Sequence, residues 1–208
     1  MTCDDIEIRL GLPDDLRVQA ACIYYDAFCR KLRPICRSRE NAIAALLDSF
    51  DSQRAILALR GCQLVGMAGI QHQQRPFMNH RFSWYVDRFG WLEGRIRYAI
   101  VHLDARPYSA GELLMDGLAV DKDLRGQGIG SLLLGAVIGF ARAHGYGTVR
   151  LDVVNTNVKA RRLYGRTGFA PTATHYYPYL LPFLGFWAVT TMIYTIQPAA
   201  AAAGTAGP

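Results

Sequence analysis

Apolar positions along the chain repeat at strand spacing in some stretches and at helix spacing in others, and the two kinds alternate. Residues 6–12 read as a first strand, and Pro13-Asp14-Asp15 then starts a helix, with proline at the first position and acids at the positive end of the dipole. Leu16, Ala20, Ile23, Tyr24 and Ala27 hold helical spacing to about Arg30. A loop containing Pro34 is expected next, then a second helix with Ile43, Leu46, Leu47 and Phe50 as its buried stripe. Residues 54–60 and 63–71 form two strands joined at Gly61-Cys62, a length typical of a hairpin. From 111 to 120 an apolar run broken only by Asp116 and Gly117 predicts a buried strand. A polar turn (121–124) and a glycine cluster (125–130) follow. The next helix shows its face in Gly130, Leu133, Leu134, Val137, Ile138 and Ala141, and stops at Gly145. Residues 148–154 are another strand, a short helix ends before Gly168-Phe169, and 170–196 supply the last two strands.

Two stretches depart from this rhythm. Between about 73 and 110 the chain gathers Phe77, Phe82, Trp84, Tyr85, Phe89 and Trp91, after which Leu92, Ile96, Ala99, Ile100 and Leu103 suggest a helix. Packing or substrate lining would both explain the aromatics. An insertion just before a central strand is well placed to cover a site at that strand's end. Residues 176–196 carry no charge, enough by length for a membrane span. Pro178, Pro182 and the alternation of Val189, Thr191, Ile193 and Thr195 with Thr190, Met192 and Tyr194 favour a bent loop and a buried final strand instead.

A chain of 208 residues with this patterning is a single domain (1–197, with the aromatic-rich insertion at about 73–110) followed by an Ala/Gly-rich, disordered tail at 198–208. The net charge of +6 could suggest nucleic acid, but the arginines are dispersed, no lysine-rich tract exists, and no nucleic-acid partner is expected. Lys159, Arg161, Arg162 and Arg166 cluster locally, which suits a small polyphosphate. The five cysteines form no CxxC pair and no leader precedes them, so reduced thiols, a cytoplasmic location and no metal site are expected. Pro34 should also prevent Cys22, Cys29 and Cys36 from aligning on one helix.

A strand feeding a glycine-rich turn and a helix N-terminus is an anion cradle, because the first amides of the helix lack intrahelical partners and the dipole favours negative charge. It is not a P-loop, which needs a lysine where Ser131 follows Gly130. Nor is it a dinucleotide fingerprint, whose third glycine and acidic partner are missing. Arg125-x-x-Gly128-x-Gly130 after Leu118-Ala119-Val120 resembles the acetyl-CoA-binding motif of the GNAT superfamily of acetyl-CoA-dependent N-acetyltransferases. Asn157-x-x-Ala160-x-x-Leu163-Tyr164 with Gly168-Phe169 resembles that superfamily's second motif, in the same order along the chain.

The resemblance implies an α/β (α+β) GNAT fold: a mixed, twisted sheet of about seven strands flanked by helices and split between its two central strands. It implies acetyl transfer from acetyl-CoA to a primary amine of a small molecule, or of a protein or peptide, by direct attack in a ternary complex, with no metal. Leu118, Ala119 and Val120 would pair with the pantetheine; Arg125, Gly126, Gln127, Gly128, Ile129, Gly130 and Ser131 would hold the pyrophosphate. Asn157, Ala160, Arg161 and Tyr164 would complete the cofactor site. The Leu118 N–H would stabilise the oxyanion and Tyr164 would protonate the departing thiolate. No base is identified by the motifs. Glu112 and Asp116 sit at i and i+4 on one strand face, in phase with Leu114 and Leu118, and either could act directly or through water. Trp84, Tyr85, Tyr176 and Tyr177 are candidates to contact an amine with an apolar or aromatic body. An acyl-CoA sensor without turnover and a nucleic-acid module stand as alternatives. No membrane partner is expected, and a homodimer is left open.

Overall fold

The computed structural model describes residues 6–102 and 109–197. Cys3, Leu103, Asp104 and the 198–208 tail lie outside them. The elements run β1 (Ile6–Leu10), α1 (Arg17–Cys36), α2 (Arg39–Ser49), β2 (Ala55–Arg60), β3 (Gln63–Gln71), α3 (Phe82–Phe89), α4 (Trp91–Val101), β4 (Glu112–Val120), α5 (Ile129–Ala143), β5 (Thr148–Val154), α6 (Val158–Arg166), β6 (Ala170–Tyr176), α7 (Leu181–Leu184) and β7 (Ala188–Thr195). The strands form one seven-stranded sheet in the order β1-β2-β3-β4-β5-β7-β6. Every pairing is antiparallel except β4 with β5. The predicted hairpin, the buried last strand and the α/β fold are all present.

Each sheet face carries its own apolar cluster. One joins Ala20, Tyr24 and Ile35 of α1 and Leu46 of α2 to Leu57 and Met67; the other joins Leu133, Leu134 and Val137 of α5 to Ile70, Leu113 and Leu151. The faces close over β4 and β5, which pair only where Glu112–Met115 meets Thr148–Leu151. Beyond that point they separate, as the sequence resemblance implied.

Three local expectations are revised. Helix α1 does not stop near Arg30 but continues through Pro34 to Cys36. The proline falls in the last turn, where it forfeits one backbone hydrogen bond. That loss is offset because Ile35 and Cys36 bury fully and because Arg97 of α4 donates to the carbonyls of Pro34 (2.9 Å) and Ile35. Cys22, Cys29 and Cys36 therefore do share one helix. Cys36 is inert as a nucleophile, burial pushing its thiol up to about 11.

The insertion holds two helices rather than one, crossing so closely at Gly94 that a Cβ there would stand 2.6 Å from the Tyr85 carbonyl. Of the apolar stripe anticipated for α4, Leu92 and Ile96 face solvent. Finally, β4 contains a bulge: Gly69 pairs with Gly117 but Ile70 with Met115, leaving Asp116 unopposed. The bulge reverses the alternation. Leu113 and Met115 lie in the α5-side cluster, and beyond the bulge it is Leu118 and Val120 that pack there. Asp116 and Leu118 are consequently not in phase.

Candidate active site

The glycine cluster forms a turn that only glycine adopts without strain, since Gly126 and Gly128 both have φ of +85°. Gly128 precedes the first turn of α5, and its carbonyl accepts from the amides of Ser131 (2.9 Å) and Leu132 (3.1 Å). Amides earlier in the turn have no carbonyl one helical turn back, so they point their donors outward. Arg125 folds back to donate its Nε to the Val120 carbonyl (3.1 Å), and the Gln127 Oε1 accepts from Arg60 (3.4 Å). Lys159, Arg161, Arg162 and Arg166 lie on the exposed side of α6.

The direction of the Leu118 backbone follows from register. Asp121 N–H donates to the Val65 carbonyl (3.0 Å), and Ala119 sits opposite Met67. Antiparallel alternation then turns Ala119 toward β3 and turns both polar backbone groups of Leu118 and Val120 the other way, into the gap left by β5. Arg125 occupies the Val120 carbonyl. The Leu118 N–H faces the gap.

That gap opens into a cavity of about 740 Å³ running from α6 across β4 to α1 and α2. Asp116, Gly117, Leu118, Asn157, Ala160 and Tyr164 line its middle and α6 side. Asn157 also caps α6, its Oδ1 accepting from the Ala160 amide (3.2 Å). Tyr164 is 7% exposed, and burial pushes its phenol up to about 12.

The two candidate carboxylates part company here. Glu112 is buried in an ion pair with Arg150 (3.0 Å) at the end of β4 where β5 is still attached. Asp116 lines the cavity and accepts the Phe77 amide (2.9 Å), which ties the start of the insertion to the bulge. Gly117 lets Tyr24 close on the same spot, because a Cβ there would stand 2.6 Å from the Tyr24 hydroxyl.

Past β4 the cavity continues into an apolar chamber among Leu32, Ile35, Leu46, Met78 and Val101. At its wall the Tyr85 hydroxyl meets His80 Nδ1 (3.2 Å), with the His102 ring 6.3 Å from that of His80. Burial first, then His102 and Lys31, push the His80 imidazole down to about 4.

Of the four aromatic residues proposed for the substrate, only Tyr85 lines this cavity. Trp84 and Tyr177 pack against the α1-side core, and Tyr176 stacks outside on Trp187 at 5.7 Å. Asp152, His80 and His102 line it without having been anticipated. They belong to no motif, and only the docking of the insertion on α1 and α2 brings the histidines to the chamber. Asp152 also accepts from the Thr191 hydroxyl (2.6 Å).

Among the described residues no group of three or more His, Cys, Asp or Glu is arranged to hold a metal ion. No described helix is long and apolar enough to cross a membrane.

The family model described as "Acetyltransferase (GNAT) family" matches residues 21–169. Among characterised proteins, "N-acetyltransferase 8B" of Homo sapiens is 42% identical over 60 residues, covering 29% of this chain and 26% of that protein. "Mycothiol acetyltransferase" of Beutenbergia cavernae is 37% identical over 98 residues, 45% of this chain and 32% of that protein. The alignments thus span about a quarter and a third of those relatives. Among solved structures, yncA from Salmonella typhimurium, determined with its cofactor acetyl-CoA, superposes with a TM-score of 0.59 at 17% identity, covering 95% of this chain and 97% of that one. That likeness shows the fold.

Proposed function

The chain belongs to the GNAT family of acetyltransferases and is an acyltransferase, and from that premise we propose that it transfers acetyl from acetyl-CoA to a primary amine by direct attack in a ternary complex. The observation that carries this reading is the Leu118 N–H turned into the gap beside β4, with the glycine cradle at one end of that gap and Tyr164 beside it.

The residues fit the cofactor. Gly126 to Gly130 present amides at a helix start for the pyrophosphate, the Ser131 amide being taken by the Gly128 carbonyl, with Arg125 bracing the turn and the bare glycines at positive φ allowing close approach. Leu118 to Val120 offer a strand edge for the pantetheine amides. Asn157, with its Oδ1 engaged in capping, keeps its NH2 to donate, and Ala160 and Arg161 flank it on α6. Acetyl-CoA, when bound, supplies the activated thioester.

Chemistry by the chain's own groups then reads as follows. The Leu118 N–H donates to the oxygen on which charge develops as the amine attacks. A new C–N bond forms, the C–S bond breaks, and the proton lost by the amine leaves through Asp116, directly or by way of a water. Glu112 is not assigned this role, since its buried carboxylate is engaged by Arg150 and, of that pair, Arg150 is the one that lines the cavity. Tyr164, with its phenol at about 12, lies roughly three to four pKa units above an ordinary thiol. It therefore holds the leaving sulfur by hydrogen bonding, while the net proton comes from the amine. The chamber beyond β4 takes the apolar body of the acceptor.

A panel of primary amines, incubated with acetyl-CoA and read by thiol release, tests the reading. Turnover is expected for amines with apolar or aromatic bodies. Binding of acetyl-CoA with no amine-dependent release from any of them would overturn it. Gly128→Val should weaken acetyl-CoA binding roughly tenfold or more by calorimetry, because a β-branched side chain is strained at that φ.

A further inference from the structure

The apolar chamber beyond β4 carries an imidazole that neither motif accounts for. Leu32, Ile35, Leu46, Met78 and Val101 surround the space, and His80 lies among them on its wall. The segment bearing His80 is pinned to the end of α2. The Asp51 amide donates to the Phe77 carbonyl (2.8 Å), the Asn79 amide donates to the Ser49 carbonyl (2.8 Å), and Phe50 bridges Met78. The ring is thus placed by backbone on one side and by the Tyr85 hydroxyl, 3.2 Å from Nδ1, on the other.

That hydroxyl decides which ring nitrogen carries the hydrogen. Tyr85 is 2% exposed, and burial raises its phenol above the ordinary range, so it keeps its proton and has to donate it to a neighbour. Nδ1 of His80 is the acceptor within reach. A neutral imidazole that accepts at Nδ1 carries its hydrogen on Nε2. A second proton is opposed by burial first, then by His102 and Lys31. Among the described residues no group takes the Nε2 hydrogen, and the nitrogen is open rather than sealed off.

We infer that His80 is a specificity-determining donor, whose Nε2–H receives a carbonyl or carboxylate oxygen at the far end of the acceptor's apolar body. The inference rests on the acetyl-transfer reading above and adds what the acceptor carries besides its amine. An apolar cavity selects by such isolated polar groups, because a ligand lacking the matching atom leaves the donor desolvated and unpaired. A hydrocarbon end cannot accept the hydrogen, and neither can a second ammonium, which has no lone pair.

Thiol release with ω-amino carboxylates of graded chain length, with their N-methylamides and with n-alkylamines of matching length tests the inference. The best oxygen-bearing acceptor is expected to exceed its alkylamine counterpart roughly tenfold or more in kcat/KM. Either oxygen-bearing series can supply it, and comparing the two tells whether the oxygen is charged. His80→Leu should bring acceptor and counterpart to within about threefold of each other, the remainder of a single lost hydrogen bond. Tyr85→Phe, which frees Nδ1 to take the hydrogen, should shrink the preference in part. His80→Gln, whose amide places an N–H near the position of Nε2, should keep most of it, a rescue that a merely structural histidine would not produce. Independently of turnover, nitrogen NMR of the isotope-labelled imidazole should show the hydrogen on Nε2 and a bare Nδ1. A hydrogen on Nδ1 instead, equal rates for the oxygen-bearing amines and alkylamines, or an undiminished preference in folded His80→Leu overturns the inference alone. Thiol release with none of the amines overturns the acetyl-transfer reading and this inference with it.

Discussion

Burial at two residues sets opposite protonation behaviour on the two sides of the cleft. Tyr164, with its phenol raised to about 12, carries its proton across the ordinary pH range. Tyr164→Phe should lower turnover roughly ten- to a thousandfold while leaving acetyl-CoA affinity nearly unchanged, because the hydrogen bond strengthens as the thiolate forms. Paired kinetics and calorimetry check this; unchanged turnover with chemistry rate-limiting would leave Tyr164 a packing residue. His80 is displaced the other way, to about 4, chiefly by burial. Below the ordinary imidazole pKa the unfolded chain takes up a proton that the folded chain refuses until about 4. The stability this group contributes is thus intact above pH ~6.5 and is lost as pH falls toward 4, by up to roughly 3 kcal/mol. Urea unfolding at neutral and mildly acid pH should show that loss in the wild type and a smaller one in His80→Gln. The tyrosine was legible from its motif. The histidine was not, because its environment comes from Tyr85, His102 and Lys31, which no spacing along the chain connects.

Within single elements, the strand β4 shows how one added residue reassigns roles. Its apolar run was readable, and so were the carboxylates at either end of its first half, yet alternation alone put Asp116 and Leu118 on one face. The bulge at Asp116, favoured where Gly117 leaves room for Tyr24 and Gly69 for Phe77, separates them. Glu112 belongs instead to the paired end of the strand. Glu112→Ala should destabilise the fold by about 3–5 kcal/mol, as removal of one member of a buried ion pair does, with turnover per folded molecule retained. Asp116→Ala should lose turnover. Thermal melts beside active-site-normalised rates distinguish the two, and a collapse of turnover in folded Glu112→Ala would return that residue to the chemistry. Helix α1 carries a similar lesson: Pro34 signals a stop, but buried Ile35 and Cys36 and the Arg97 contacts to its last carbonyls override it.

Across the whole molecule, α1, α2 and the insertion close around the gap between β4 and β5 to make the apolar chamber proposed for the acceptor. Phe28 of α1 lines it and packs on Tyr24 with centroids 4.4 Å apart. Phe28→Ala should raise the Michaelis constant for the best apolar amine severalfold, a loss of about 1–2 kcal/mol of contact, and leave that for acetyl-CoA unchanged. Equal effects on both constants would place the acceptor elsewhere. The same insertion turns Trp91, Leu92 and Ile96 of its outer stripe to solvent. By itself the sequence determined the order of strands and helices, the hairpin, the glycine cradle and the α6 motif, because each depends on the period or backbone freedom of neighbouring residues. Tertiary structure decided the bulge, the separation of Glu112 from Asp116, the chamber and its histidines, and which aromatics face the cleft. Those depend on contacts between residues far apart in the chain, whose directions are fixed only when the sheet splits and the helices pack over it.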